Sequence, residues 1–192
     1  MANSNYVKLT EAEKQILQRY VEYGDKNKCL EDITTKGILS ALKIDSEIAK
    51  KLKDSYEYKI IKEAKDRFTR KAIQNGFASF LKFYDWYVNQ LKIQQDSCYY
   101  CKSSRELLNK VFRSKGEPQA QQEKKPLYST KPAFSSSFQV DKKHPNKGYS
   151  KENCVLACAF CNNAKSDMVK DAELFKKSFG SHMGSFLRLF DK

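Results

Sequence analysis

The chain has 192 residues, a formal net charge of +13 and a pI near 9.4, which fit one ordinary domain, or one domain with a small satellite. Such a charge favours a polyanionic partner, so we expect nucleic acid, with an acidic membrane surface as the alternative. No run of about 18 apolar residues is present, and 1–5 is polar, so neither a membrane span nor a secretory signal is predicted. We expect a cytoplasmic protein, in which the six cysteines are metal ligands or core residues rather than disulfides.

The first part of the chain, 1–95, is predicted to be helical and basic. Thr10 and Glu13 form a capping box, in which each side chain satisfies a free amide at the start of a helix. Gly24 is predicted to end that helix. Further helices are predicted from Thr34 or Thr35 to Leu42, from Asp45 or Ser46 past Leu52, over Tyr56–Gln74 with Asn75 and Gly76 ending it, and over Phe77–Gln95.

Two of these helices have a distinctive composition. Tyr56–Gln74 has apolar residues on one side and lysines and arginines on the other, and the basic side is either a solvated surface or a track for a phosphate backbone. Phe77–Gln95 is the most aromatic segment of the chain. We predict that its rings form a core stripe rather than a base-stacking surface, because the strand platforms that usually stack bases are absent here.

The second part of the chain, 96–192, is predicted to hold the strands. A short helix is expected around Leu107 to Phe112, and a long loop from Gly116 to Ala133. A strand ending at Val140 and a return strand over 155–157 then predict a hairpin, followed by a helix near Phe160 and further helices after Asp167. The predicted fold class is mainly α with a small β-hairpin. Gly-Ser-His-Met at 180–183 resembles a cloning scar, but it lies within an amphipathic pattern and is interpreted as native sequence.

Two Cys-x-x-Cys pairs, Cys98/Cys101 and Cys158/Cys161, are separated by 56 residues. A two-residue spacer lets both thiolates of a pair reach one tetrahedral ion, so the pairs predict a structural Zn²⁺ site. A closed site with four cysteine ligands leaves no open position for chemistry, so its predicted task is to tie the hairpin to the end of the aromatic helix. Cys29 and Cys154 are predicted to be buried thiols.

The stretch Val140-Asp141, Lys147-Gly148, Asn153-Cys-Val-Leu-Ala-Cys158-x-x-Cys161-Asn162-x-x-Lys165, read with the upstream cysteine pair, resembles the HNH (His-Me finger) endonucleases. The resemblance covers about 98–167 and implies a zinc-stapled ββα-metal finger. It implies that Asp141 and Asn162 bind a catalytic Mg²⁺ or Mn²⁺ and that Asn153 braces the hairpin. Lys143, Lys147 and Lys165 are the expected contacts to the nucleic-acid backbone.

The chain departs from that family at the general base, which is normally a histidine directly after the acid. Lys142 occupies this position, and an ordinary lysine is protonated at neutral pH. His144 lies two positions on, roughly 6–7 Å away along a strand, so it can act as the base only if the loop folds back. The open alternatives are a neutral Lys142, a metal-bound hydroxide without a protein base, Tyr149, or a hairpin that has lost hydrolysis. His182, the other histidine, is expected to be structural.

The resemblance implies an endonuclease that hydrolyses phosphodiester bonds in double-stranded DNA and leaves 5′-phosphate and 3′-hydroxyl ends, which suits a bacterium or a phage. A homodimer is expected if both strands are cut. The alternative is a non-catalytic zinc-finger protein that binds DNA or RNA and keeps the ββα shape, and a weaker one is an oligomerisation module. Asp141 and Asn162 favour the enzyme, and the missing histidine favours the binding protein.

Overall fold

A computed structural model describes residues 6–28, 30–111 and 136–189. It is 62% helical with one small two-stranded antiparallel sheet, which confirms the predicted fold class. The chain divides into two compact units, an N-terminal unit (Met1–Val88) and a C-terminal unit (Asn89–Lys192). The division falls inside the aromatic helix, a little before the predicted boundary at 95. Within the described ranges, no helix is long and apolar enough to cross a membrane.

Among its described residues, the N-terminal unit has five helices and most of a sixth that continues into the C-terminal unit. They are α1 (Glu11–Asn27), α2 (Lys36–Leu42), α3 (Ser46–Lys53), α4 (Tyr56–Phe68), α5 (Lys71–Gly76) and α6 (Phe80–Ile93). The predicted capping box of α1 is confirmed, because Thr10 and Glu13 each accept from the other's backbone amide. Asp45 caps α3 by accepting from the Ile48 amide at 2.7 Å, which is also as predicted.

Two details of the predicted helices are wrong. Helix α1 does not stop at Gly24 but ends at Asn27, followed by Lys28 as its C-cap with a φ of 52°. A Cβ at Gly24 would lie 2.1 Å from Leu30 Cδ1, so this glycine serves a close approach and not a helix end. The predicted helix over 56–74 breaks after Phe68, where Thr69 Oγ1 donates to the Asp66 carbonyl at 2.7 Å. A side-chain hydroxyl thus takes a carbonyl that a backbone amide would need to continue the helix.

The aromatic segment forms core, as predicted. Phe83 and Tyr87 on α6 are completely buried, and Trp86 is 8% exposed. The rings of Phe77 and Trp86 lie 5.1 Å apart between centroids, in a tilted arrangement that aromatic pairs favour. These rings therefore pack against each other and do not form an exposed stacking surface.

The C-terminal unit holds the sheet and several short helices. Among its described residues, the elements are α7 (Arg105–Val111), β1 (Gln139–Lys142), a 3₁₀ turn (Pro145–Lys147), β2 (Cys154–Ala157), α8 (Ala159–Lys165), α9 (Ala172–Phe175), a π-helical turn (Lys176–Gly180) and α10 (Ser181–Arg188). Strands β1 and β2 are antiparallel, with Asp141 opposite Val155. The hairpin followed by α8 gives the predicted ββα order. The predicted loop over 116–133, the strand start at Phe134, Phe112 and Cys29 lie outside the described residues.

Candidate metal centre and adjacent hairpin site

The two cysteine pairs come together in one cluster. The sulfur atoms of Cys98, Cys101, Cys158 and Cys161 all lie within 4.8 Å of one another, and each residue is at most 3% exposed. Such a group can hold a metal ion, and four sulfur ligands suit zinc. The cluster confirms that these cysteines form a candidate structural metal site.

The four thiols of the cluster influence one another's ionisation. Hydrogen bonding with Cys158 lowers the pKa of the Cys101 thiol, whereas hydrogen bonding with Cys101 raises the pKa values of Cys158 and Cys161. One thiolate therefore accepts from its neighbours, and further ionisation is opposed by its negative charge. A divalent cation would supply the charge that lets all four become thiolates.

The first cysteine pair lies in a tight turn, which we call the knuckle (Cys98–Ser103). The Cys98 amide donates to the Ser103 carbonyl at 3.0 Å, and the Lys102 amide donates back to the Cys98 carbonyl at 3.0 Å. Lys102 adopts a φ of 59° to close this turn. The Cys158 amide donates to Cys98 Sγ at 3.2 Å, which joins the two pairs and stabilises negative charge on that sulfur.

Gln94, at the C-terminal end of α6, is a supporting residue that the sequence patterns did not predict. Its Oε1 accepts from the Leu156 amide at 3.0 Å, and its Nε2 donates to the Leu156 carbonyl at 2.8 Å. The side chain thus pairs with β2 as a neighbouring strand would. Gln94 therefore connects the end of the aromatic helix to the hairpin. The sequence had predicted that the metal site alone makes this connection. A single polar residue at a helix end carries no sequence signal for this contact.

Two buried glycines let the C-terminal helix approach the knuckle. A Cβ at Gly180 would lie 2.8 Å from the Tyr100 carbonyl oxygen, and one at Gly184 would lie 2.3 Å from the Cys101 carbonyl oxygen. The two positions are four residues apart and so share a helix face. The segment that resembles a cloning scar therefore begins with a glycine that packs on the metal site, which agrees with its interpretation as native sequence.

Asp141 lies on β1, and its carboxylate is buried. The Tyr100 hydroxyl donates to Asp141 Oδ2 at 2.6 Å, and Lys165 Nζ lies 3.2 Å from the same oxygen. Burial raises the pKa of the Asp141 carboxyl, and the bonds from Tyr100 and Lys165 oppose that rise without cancelling it. Burial and the neighbouring carboxylate also raise the pKa of Tyr100, so its hydroxyl remains a donor.

Lys165 is completely buried at the end of α8, and the prediction that it contacts a nucleic-acid backbone is wrong in this structure. Besides its ion pair with Asp141, its Nζ donates to the Lys142 carbonyl at 2.6 Å. The side chain turns towards β1 because α8 packs on that strand, and a buried ammonium group needs a carboxylate or carbonyl partner. The sequence pattern placed it one turn into the helix but gave no sign of burial.

Asn162 lies one turn before Lys165 on α8 and also faces β1. Its Nδ2 donates to Gln139 Oε1 at 2.5 Å. Gln139 and Asp141 are two residues apart on the strand and point to the same face, so Asp141 and Asn162 lie along one strand–helix contact. Because the Asn162 side-chain nitrogen bonds to Gln139, its side-chain carbonyl oxygen is the atom that could bind an ion. A carboxylate and an amide oxygen are ligands that Mg²⁺ and Mn²⁺ accept, so the donor chemistry fits such an ion.

Asn153 holds the loop between the strands. Its Nδ2 donates to the carbonyl oxygens of His144 and Gly148 at 2.9 and 2.7 Å, and its Oδ1 accepts from the His144 amide at 3.0 Å. Gly148 has a φ of 68°, a conformation that glycine adopts without strain. These bonds brace the loop from the start of β2, which is the kind of contact that the resemblance implies for this position.

The residues considered as proton acceptors have different surroundings. Strand β1 ends at Lys142, so His144 lies outside the strand and does not share a strand face with residue 142. His144 is exposed, and both its backbone groups are held by Asn153. Lys142 Nζ donates to the Pro145 carbonyl at 3.1 Å and forms an ion pair with Asp167 at 3.1 Å. The side-chain nitrogen of Lys142 is thus already engaged by two partners.

The remaining predicted residues lie near these sites. Lys147 is exposed in the loop, and Lys143 is half-buried beside it, with its amide donating to the Asn153 carbonyl at 2.7 Å. Tyr149 is half-buried, and Lys142 Nζ lies 5.4 Å from its ring centroid. His182 is exposed on α10, with Nδ1 2.9 Å from the Ser178 carbonyl oxygen. Cys154 is buried as predicted, and burial raises the pKa of its thiol to about 11.

Comparison with known proteins gives no family assignment. No protein-family model matches the chain, and no curated protein or solved structure matches it. The resemblance to the HNH endonucleases therefore depends on the residues named above.

Proposed function

We propose that the protein is a metal-dependent endonuclease of the HNH type that hydrolyses phosphodiester bonds in DNA. One observation carries the proposal: Asp141 and Asn162 lie along the same contact between β1 and α8, in a hairpin-and-helix frame that the cysteine cluster staples. A module that only binds nucleic acid needs no oxygen ligands in that place. The net charge of +13 supports a polyanionic substrate.

In this proposal the cysteine cluster holds Zn²⁺ and has a structural role only. All its ligand positions are thiolates and all are buried, so neither water nor substrate has a place on the ion. Its task is to hold the knuckle, the start of α8 and the end of β2 together.

Asp141 and Asn162 are the residues that would hold a Mg²⁺ or Mn²⁺ ion. Gln139 orients the Asn162 amide, and Tyr100 orients the Asp141 carboxylate. When bound, such an ion stabilises the charge that develops on the phosphate and on the leaving oxygen. The exposed Lys147 and its neighbour Lys143 present positive charge on the same hairpin, which supports a role in holding the phosphate backbone.

His144 is the proposed proton acceptor. Its side chain is exposed and its backbone is fixed on both sides by Asn153, so an imidazole is presented from a braced loop. Lys142 is the weaker candidate because its ammonium group is ion-paired with Asp167. Tyr149 and a mechanism without a protein base stay as alternatives. The expected homodimer also stays a prediction.

A non-catalytic nucleic-acid-binding protein is the second candidate, and one observation favours it. The Asp141 carboxylate is 6% exposed and already has two partners, Tyr100 and Lys165, so it has a structural task without any ion. In that function the hairpin would present its basic loop to the nucleic acid and cut nothing.

A plasmid-cleavage assay separates the two functions. The zinc-loaded parent, Asp141→Asn and Glu152→Gln are incubated with supercoiled DNA and Mg²⁺ or Mn²⁺. Glu152→Gln is a matched control, because it removes a carboxylate from the same hairpin, but an exposed one. Cleavage by the parent and the control, with none by Asp141→Asn, supports the enzyme. Binding without cleavage by any of the three proteins would rule the enzyme out and favour the binding protein.

The base is tested separately. Replacing His144 by alanine is expected to lower the cleavage rate at least about a hundredfold if its imidazole takes the proton. Asn146→Ala, in the same exposed loop, serves as the control and should cut at the parental rate. An unchanged rate for the His144 variant would remove this residue from the mechanism.

A further inference from the structure

The Asp141 carboxylate is shared between the proposed cation site and a buried lysine. Lys165 is 0% exposed, and its Nζ lies 3.2 Å from Asp141 Oδ2. The Tyr100 hydroxyl reaches the same oxygen at 2.6 Å. The proposed function uses Asp141 as a ligand and leaves the ammonium group of Lys165 without a role.

A divalent cation on Asp141 would come close to that ammonium group. Both would be attracted to one carboxylate, and both are positive, so they repel each other in a setting that water does not screen. Asp141 carries one negative charge, which Lys165 already neutralises. Within the described ranges, Asp141 belongs to no group of three or more His, Cys, Asp or Glu side chains that could hold an ion.

Lys165 has a second anchor that remains available if it leaves the carboxylate. Its Nζ also donates to the Lys142 carbonyl at 2.6 Å, and this carbonyl lies at the end of β1. Tyr100 can keep its bond to Oδ2, because a hydroxyl donor is neutral and does not repel a cation. Displacing the ion pair therefore costs one contact and leaves the lysine hydrogen-bonded.

We propose that Lys165 is a positioning residue that competes with the divalent cation for the Asp141 carboxylate. It holds the carboxylate in place when no cation is bound and withdraws towards the Lys142 carbonyl when one binds. The affinity for Mg²⁺ or Mn²⁺ is then set by Lys165 as well as by the ligands themselves. This inference rests on the proposed cation site and adds a residue that weakens cation binding there.

Mn²⁺ binding tests the inference without any measurement of cleavage. Free Mn²⁺ is followed by electron paramagnetic resonance during titration of the zinc-loaded full chain. Lys165→Met removes the charge but keeps a long apolar stem, and it is expected to bind Mn²⁺ at least about tenfold more tightly than the parent. Lys165→Arg keeps the charge and should stay close to the parent. The double variant Asp141→Asn/Lys165→Met should lose the gain. An unchanged or weaker affinity in a folded Lys165→Met protein overturns the inference.

A measurement on the parent covers the case in which Lys165→Met does not fold, since this variant leaves Asp141 buried without its ion partner. The ¹⁵N signal of the Lys165 ammonium group, assigned by its loss in Lys165→Arg, is followed during titration with Mg²⁺. It should shift with the same midpoint as Mg²⁺ binding measured by calorimetry. A signal that stays fixed at saturating Mg²⁺, or a complete lack of binding in every protein, contradicts the competition.

The outcome is distinct from that of the cleavage assay. If the parent cuts DNA but Lys165→Met binds Mn²⁺ no more tightly than the parent, the proposed function stands and the inference fails. If the parent does not cut DNA but Lys165→Met gains affinity through Asp141, the inference stands and the proposed nuclease function fails.

Discussion

Removing the metal from the cysteine cluster is expected to unfold the C-terminal unit and leave the N-terminal unit folded. The cluster joins the knuckle to the turn between β2 and α8, and α10 packs on the knuckle through Gly184. Without a cation, four buried thiols remain within 4.8 Å of one another. Their mutual hydrogen bonds are weak and cannot replace metal–sulfur bonds.

The size of the effect follows from the short elements of this unit. Each strand has four residues, and α7, α8 and α10 have seven or eight, lengths that are marginal or unstable alone in water. A structural zinc site contributes about 10–16 kcal/mol to small domains that depend on it. A typical domain has a net stability of about 5–15 kcal/mol, so loss of the metal is comparable to the whole free energy of unfolding.

The chain offers separate reporters for the two units. Trp86, the only tryptophan of the chain, is buried in the N-terminal unit, so its fluorescence reports on the packing of that unit. Hydrogen exchange read by mass spectrometry over 136–165 reports on the hairpin and α8. After a strong chelator has removed the zinc, we expect exchange protection to be lost there while the Trp86 emission stays unchanged. Cys161→Ala should lose the zinc, whereas Cys154→Ala, a buried thiol outside the cluster, should retain it.

A metal-free protein that keeps its exchange protection over 154–165 would refute the reasoning, because the hairpin would then be stable by packing alone. A shift of the Trp86 emission to longer wavelength would refute a different part of it. It would mean that the N-terminal unit does not fold independently of the C-terminal one.

Two further predictions concern stability. Gly184→Ala is expected to cost about 1–3 kcal/mol, because its Cβ would lie 2.3 Å from the Cys101 carbonyl oxygen, whereas Gly37→Ala, with nothing within 4 Å, should cost nothing. Urea unfolding measures both, and equal midpoints for the two variants would contradict the close packing of α10. For Asp32, burial would raise the pKa of the carboxyl, but hydrogen bonds from Lys53 and from a threonine outweigh it and lower the pKa to about 2. The pKa is depressed on folding, so this contribution is present above the unfolded value of 3.8 and is lost as the pH falls to about 2. In Asp32→Asn, the free energy of unfolding should therefore fall less steeply with decreasing pH in that window. The difference from the parent should be about 1 kcal/mol or less, because the group is partly exposed. An unchanged pH dependence would count against the ion pair.

The features that the sequence predicted are those encoded over a few residues. A capping box needs only Thr10 and Glu13, and a cysteine knuckle needs only its two-residue spacer, so the residue order alone was enough to place both. The order of hairpin and helix followed from the same local signals. Asn153 could be singled out because its place in the loop matches a known motif.

The features that were missed or wrong depend on partners far along the chain. Lys165 has the same sequence surroundings as a solvated lysine, and only the approach of β1 to α8 turns it inward. Gln94 pairs with a strand 62 residues away, and Gly24 serves the side chain of Leu30 and not the end of its own helix. Periodicity along one helix contains no information on such contacts, because they are decided by tertiary packing.

Helix α8 links the two sites, and this bears on how the proposed activity depends on metals. Cys161 belongs to the cysteine cluster, Asn162 follows it directly, and Lys165 lies four residues after Cys161 on the same helix face. A seven-residue helix has no fixed orientation of its own, so its anchoring at Cys158 and Cys161 determines where Asn162 and Lys165 meet β1. Chelation of the structural metal should therefore abolish Mn²⁺ binding at Asp141 without touching that residue. Adding Mg²⁺ or Mn²⁺ alone should not restore it, whereas adding Zn²⁺ first should.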